Sequence, residues 1–436
     1  MIKNLLNGFV SALLLFTINS TAFSQTLYYR EGNSFTSGFG AVGGTWNTSL
    51  QNWTTSSAGD VATTAWVNDA ITPNDATFDF VGNSAAGPAI SMLVDLNLRN
   101  LEIKGLNNMT GTAGPTLAVA ANRTLTFGTG ATVTVEDRPD FTYDFYIRQL
   151  NTTTADTFTL NINSFTKAGA GNMLIGAQAQ TTTGATAVTK VTGTVNVSQG
   201  QVSLSTFASG AGTSRSVDVG DATFSLASGT VLSAVNPLSY AGTQPVNGTA
   251  ALGTVTGDGT IQGEMHNTLN TLTITAKSLI PGTVGTVGTL TMADLAADET
   301  NTLNQVANAA TSLSFSALEL RGLKFDLAAS GISDQIIFSE LKAVDASALT
   351  FDHFEFNSLA GFESGNNYTL MTSTSLLTWN GPSTLSGKVG DLDGTITRTG
   401  NDLVLNVIPE PSSFVLLAGG LLTVIMLRRR QSPSLR

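Results

Sequence analysis

Between Gln25 and Ile408 no stretch of this chain sustains a helical period; what recurs is short apolar–polar alternation. The runs are Leu93–Ile103, Thr116–Phe127, Ala131–Glu136, Phe158–Ile162, Thr194–Leu204 and Leu269–Thr275, most of them bounded by Gly, Asn, Ser or Asp. Alternation this short describes strands with one face on a core, separated by tight turns. Only Ala293–Ala310 has a composition that suits a modest helix or a long loop. The Gly count of 44 and the abundance of Thr, Ser and Asn fit the same picture. With 42% hydrophobic residues the chain can bury a core, and with 12% charged residues it is no acidic disordered tract. Cys is absent, so packing and hydrogen bonds alone must hold the fold, and thiol chemistry is excluded. A net charge of −11 argues against a phosphate-binding surface, and no nucleic-acid partner is expected.

The two ends have their own character. Lys3 precedes a mostly apolar run, Leu5–Ile18, and Ala22-Phe23-Ser24 places small residues at the positions a signal peptidase reads. A cut after Ser24 would leave Gln25 as the first residue; the alternative is an anchor that stays in place. At the other end Pro409-Glu410-Pro411-Ser412-Ser413 leads into the apolar run Phe414–Leu427 and then Arg428-Arg429-Arg430. As a helix that run reaches about 21 Å, short of a hydrocarbon core of about 30 Å. Arginine snorkelling would extend it, and the Arg cluster belongs on the cytoplasmic side. The body then sits outside the inner membrane, as a signal peptide also requires.

The order Pro-Glu-Pro, short apolar helix, Arg cluster resembles the PEP-CTERM sorting signal of Gram-negative bacteria. The resemblance implies a tail recognised and removed by a membrane enzyme, the exosortase, on surface or extracellular proteins of strains that make exopolysaccharide. The prolines Pro409 and Pro411 have a physical use here: they block helix continuation and hold an extended peptide at the membrane surface. A permanent single-span anchor is the alternative.

The body carries a second resemblance, to proteins with autotransporter-associated β-strand repeats. It rests on Trp46, Asn52-Trp53-Thr54, Trp66 and Asp75-Ala76-Thr77-Phe78 near the start, and on the run Phe165–Gly176 followed by Gly193–Val197 and Gly200–Leu204. Gly257–Ile261, Ile280-Pro281-Gly282, Gly288–Thr291, Ser333–Ile336 and Gly365–Leu370 continue it. The resemblance implies an all-β body, a right-handed parallel β-helix or β-solenoid in which stacked coils bury a column that no single coil could bury. No outer-membrane barrel follows, so passenger-like architecture is implied without the autotransporter route of export. The tryptophans near the start are expected to pack as a cap rather than as a sugar-stacking platform.

Sites for chemistry are sparse. Asp391-Leu392-Asp393-Gly394 places two carboxylates at i and i+2, a pair that would suit Ca²⁺ or acid–base work. The further acidic ligands of a calcium loop are missing, so a solvated turn is the better reading, as it is for Asp218 and Asp221 around Gly220. His266, after Glu264, and His353, beside Asp352, stand without a partner nucleophile or ligand motif. Thr-x-Thr pairs at Thr124/Thr126, Thr132/Thr134, Thr192/Thr194, Thr271/Thr273/Thr275 and Thr395/Thr397/Thr399 would order water, as ice-binding surfaces do, only if the coils aligned them. Thr is otherwise a good exposed strand residue.

The expected organisation is a signal peptide at 1–24, a β cap region at 25–110, a solenoid at 111–292, a C-terminal β region at 293–408 and the sorting signal at 409–436. Within the last, one short transmembrane helix is expected at about 413–427, with the Arg-rich end at 428–430. The expected protein is exported and non-enzymatic, with no catalytic, cofactor or metal site. Its processing partners are signal peptidase and exosortase, it meets the inner membrane transiently, and exopolysaccharide is its expected ligand at the cell surface or in the extracellular matrix. The alternatives are a β-helix polysaccharide lyase or hydrolase, and an ice-binding protein. Mass spectrometry of the mature surface protein should find Gln25 at its N-terminus and no peptide containing Arg428–Arg430; an intact tail would make the anchor permanent.

Overall fold

Alternation decides which side chains each strand turns inward. In the strand Phe165–Ala168, Phe165 and Lys167 are buried while Thr166 and Ala168 are half-exposed. In Thr223–Leu226, Phe224 and Leu226 are buried between half-exposed Thr223 and Ser225. A strand of four or five residues buries too little to persist alone. The computed structural model shows how the deficit is met. It describes residues 24–30, 44–58, 61–80, 88–109, 114–119, 122–139, 143–149, 157–177, 186–205, 214–220, 222–236, 248–265, 271–294, 310–341, 343–409 and 420–427.

The strands stack as a parallel β-solenoid. Each coil contributes a bent strand, or two abutting ones, to a first sheet and one strand to a second. One inward column of the first sheet runs Phe165–Val195–Phe224–Val255–Leu279–Leu323–Phe354, each residue opposite the next. Facing it, Phe145–Met173–Val202–Leu232–Ile261–Met292–Phe338 forms a column of the second sheet. All are buried, and together with their neighbours they form one continuous core.

Corners break the strand ladders, and polar side chains repair them. Asn68 Oδ1 accepts from Asn97 N, Asp95 Oδ1 from Thr124 N, Ser164 Oγ from Thr194 N and Asp258 Oδ1 from Thr289 N, at 2.7–2.9 Å. These bonds join residues 29, 30 or 31 positions apart, one coil each. Other coils are shorter or longer, from 24 residues between Asp75 and Arg99 to 49 between Gln25 and Asn74. That spread is why the sequence carries no fixed repeat length.

The ends of such a stack would expose the core and unpaired strand edges. At the first coil Trp46, Trp53, Trp66, Tyr29 and Phe78 close the end, all at most 1% exposed. Their ring centroids lie 4.8–5.5 Å apart. At the other end three antiparallel strands, Thr384–Val389, Leu392–Thr399 and Asp402–Ile408, extend the second sheet. Gly387 is required there because a β-carbon would sit 2.1 Å from the Phe351 ring.

Strand pairing runs across the expected internal bounds at 110/111 and 292/293: Ala89–Met92 pairs with Thr116–Val119 and Thr289–Asp294 with Gln335–Ser339. Ala293 and Asp294 end a strand and Ala310 begins one; 295–309 lie outside the described residues. Within the expected membrane helix, 420–427 is helical and exposed, while 413–419 lie outside the described residues. Among the described residues no helix is long and apolar enough to cross a membrane.

Truncating a ring at the centre of the aromatic cap leaves a large cavity. Trp53→Ala should cost about 3–5 kcal/mol, read as an earlier urea transition of the N-terminal coils; an unchanged midpoint would mean the cap carries no load.

Candidate functional site

The expected signal-cleavage junction lies against the first coil. Ser24 Oγ donates to Pro73 O at 2.6 Å, Gln25 N donates to Asn74 Oδ1 at 3.0 Å, and Asp75 N donates to Gln25 O at 2.8 Å. Thr26 then opens the first strand. A cut after Ser24 would leave the new amino group beside Asn74 without disturbing the ladder. Ala22 lies outside the described residues.

The other junction is equally close to the fold. Asp402–Ile408 is paired on both sides, to Asn367–Ser373 and to Leu392–Thr399. Gly365 N donates to Val407 O at 2.7 Å. Pro409 lies against Gly365, where a β-carbon would come within 3.3 Å of Pro409 Cγ. The Pro-Glu-Pro motif thus starts one residue after a doubly paired strand, with no spacer. Glu410, Pro411 and Arg428, Arg429 and Arg430 lie outside the described residues.

Buried ionisable groups at the corners escaped sequence reasoning. Lys167, fully buried, donates from Nζ to Ala168 O, Gly169 O and Gln199 O at 3.0, 2.8 and 3.2 Å. Three donors meet three acceptors, which suits an ammonium, although burial pulls its pKa down to about 8. Asp144, also fully buried, accepts from Arg138 N and Asn172 N at 2.9 and 2.7 Å, and burial pushes its carboxyl up to about 7. Asp334 accepts from Gly288 N and Asp326 N, both at 2.7 Å, and burial raises it to about 7, helped by the charges of Asp326 and Asp258. The signal for Lys167 was its phase: it alternates with Phe165 and so points inward. Asp144 and Asp334 had no such signal, because each precedes a strand rather than lying within one.

The residues weighed for chemistry are placed separately. Asp391 sits in the two-residue turn that joins Thr384–Val389 to Leu392–Thr399, and Asp393 pairs across that hairpin with Lys388 at 2.7 Å. His353 Nδ1 lies 3.0 Å from Thr350 N and 2.9 Å from Thr350 Oγ1, closing a short 3-10 turn. Asp218 Oδ1 accepts from Gly220 N at 3.0 Å; Asp221 and His266 lie outside the described residues. Among the described residues no three His, Asp or Glu side chains are grouped to hold a metal. A cavity of about 10 Å³ beneath Trp379, lined also by Arg398, Asn401 and Asp402, has room for one water and none for a sugar.

On the outer surface of the first sheet the coils align polar side chains. One column runs Asn100–Thr132–Thr166–Asn196–Ser225–Thr256, and beside it Thr194–Thr223–Thr254 forms another. Of the Thr-x-Thr pairs in the sequence, Thr132 and Thr194 join these columns. Thr395 and Thr397 lie instead on an antiparallel strand, opposite Asn406 and Val404.

The described strands thus form a parallel β-solenoid, with the C-terminal Pro-Glu-Pro following directly on its last strand. Residues 407–430 match the PEP-CTERM protein-sorting motif. That motif implies export, a membrane-held intermediate and processing by exosortase. No curated protein and no solved structure matches the chain.

The shifted carboxyls have a measurable consequence. Asp144 and Asp334 bind protons more readily in the fold than unfolded, so stability is greatest near pH 4 and falls as pH rises to about 7. Lys167 works oppositely, since its folded value is lowered, and returns stability above about pH 8. Below pH 4 the contribution of Asp75 is lost in turn: burial raises its carboxyl, but Arg99 together with the bonds from Asn100 and Thr26 holds it below its ordinary value. Thermal melting should therefore be about 5 °C higher at pH 5 than at pH 7.5, with a shallower slope in Asp334→Asn; a melting point that rises across this range would contradict the assignment.

Proposed function

We propose that the exported body is a non-enzymatic rod that binds extracellular polysaccharide through the aligned polar columns of its first sheet. The carrying observation is the register of Thr166–Asn196–Ser225–Thr256 beside Thr194–Thr223–Thr254. Such columns repeat at the strand spacing of about 4.8 Å and present hydroxyls and amides in two rows. Each contact to a sugar hydroxyl is weak, and many along one face give avidity. Asn196 and Ser225 interrupt the threonines, which favours varied hydrogen bonding over the uniform methyl–hydroxyl lattice that ice would require.

The passenger-like resemblance of the body and its sorting tail support a role at the cell surface or in the matrix of a Gram-negative bacterium, with exopolysaccharide as partner. The coil is assigned a right-handed turn, the hand that twisted parallel strands favour in their crossovers. Purified body should be retained on native exopolysaccharide. Replacing Thr194, Thr223 and Thr254 together by Val, which keeps the β-branched shape and removes the hydroxyls, should weaken retention about tenfold. Unchanged retention would remove this face from the function, and no retention by the unaltered body would remove the ligand. Thermal hysteresis would transfer the face to ice, and release of unsaturated sugars would make the protein a lyase.

A further inference from the structure

The tail leaves the fold sideways. Asp402–Ile408 runs antiparallel to Asn367–Ser373, so its last residue lies beside the corner turn 359–366 rather than on the axis of the stack. In the preceding coils the same corner is formed by turns 328–334 and 282–288. The layers touch: a β-carbon on Gly361 would meet Ala329 Cβ at 2.9 Å, and Gly331 lies against Asn367 O. Gly285 N donates to Asp326 Oδ2 at 2.6 Å and Gly288 N to Asp334 Oδ1 at 2.7 Å.

Along this ridge aliphatic side chains point outward. Val284 is 85% exposed, Val287 38%, Ile332 56% and Ile408 46%. The carboxylates of Asp326 and Asp334 hold the 282–288 turn from beneath, so the exposure of Val284 belongs to a fixed turn. From Val284 to Ile408 the ridge covers three coil steps, about 15 Å. The tail begins at its end.

We propose that this ridge is a membrane-contact surface: while the tail is held in the bilayer, the rod lies with this corner against the lipid headgroups instead of standing on its last coil. The proposal rests on the tail being membrane-held. Pro409 to Ser413 spans at most about 17 Å when extended, so the ridge cannot move far from the lipid surface. Four part-exposed aliphatics are too few to bind a free protein to lipid, but the tether makes the contact intramolecular. Asp258 and Glu363 are exposed on the same ridge, so a neutral headgroup layer fits it better than an anionic one.

The absence of Cys makes the test direct, because single cysteines can be labelled on the full chain. Fluorophores would be placed by Val284→Cys and Ile332→Cys on the ridge, Leu422→Cys in the tail and Ile71→Cys at the first coil. Leu376→Cys marks the opposite corner of the last coil; Leu376 is 93% exposed and Ile71 91%. In phosphatidylcholine–phosphatidylethanolamine vesicles carrying a headgroup-level quencher, positions 284 and 332 should be quenched at least threefold more than 376 and 71. Equal quenching of 376 and 332 with a decline towards 284 would mean the rod stands on its end, and would overturn the proposal. So would ridge positions no more quenched than 71. An unquenched label at 422 would instead show that the tail is outside the bilayer, and the premise would fail with the proposal.

Discussion

Every part of this protein depends on the parallel ladder between one coil and the next. A four-residue strand such as Phe165–Ala168 can neither satisfy its backbone groups nor cover its apolar side alone. Paired with Thr194–Val197 on one side and Arg123–Val135 on the other, it does both. The same register that stacks Phe165 on Val195 inside stacks Thr166 on Asn196 outside. Core and polar surface are therefore one arrangement seen from two sides.

Where the ladder is interrupted, the cost of unpaired backbone is avoided by fixed side chains. Asn68, Asp95, Ser164 and Asp258 each accept the amide of the next coil. At more enclosed corners the same task falls to Asp144 and Asp334, which stay buried although burial raises their pKa values. Lys167 does the reverse job, donating to three carbonyls. With no disulfide available, this corner chemistry and the two end caps hold the stack together.

The start of the described chain and the start of the sorting motif both lie directly against the folded body. Gln25 is bonded to the strand Asn74–Asp79 through Asn74, and Pro409 follows a strand paired on both sides. The position of the exit, at a corner rather than on the axis, also limits how a membrane-held rod can be oriented.

Much of this was legible locally. Alternation with period two follows from strand geometry, so inward residues such as Val195, Val197, Phe224 and Leu226 can be read from the chain. The sorting tail was legible because its three parts are contiguous, and the cap tryptophans because large rings near the first strands have little else to do. What lay beyond the sequence was register. Coils differ in length, so nothing in the chain says that Thr194 meets Thr223, that Thr395 does not join the same column, or that Asp334 closes onto Gly288 across 46 residues. The sequence by itself determined strand character, the absence of disulfides and the C-terminal sorting motif, because these depend on residue types and neighbouring residues. Only the tertiary structure decided which polar side chains align, which charges are buried and where the tail emerges, because those depend on how coils of unequal length pack onto one core.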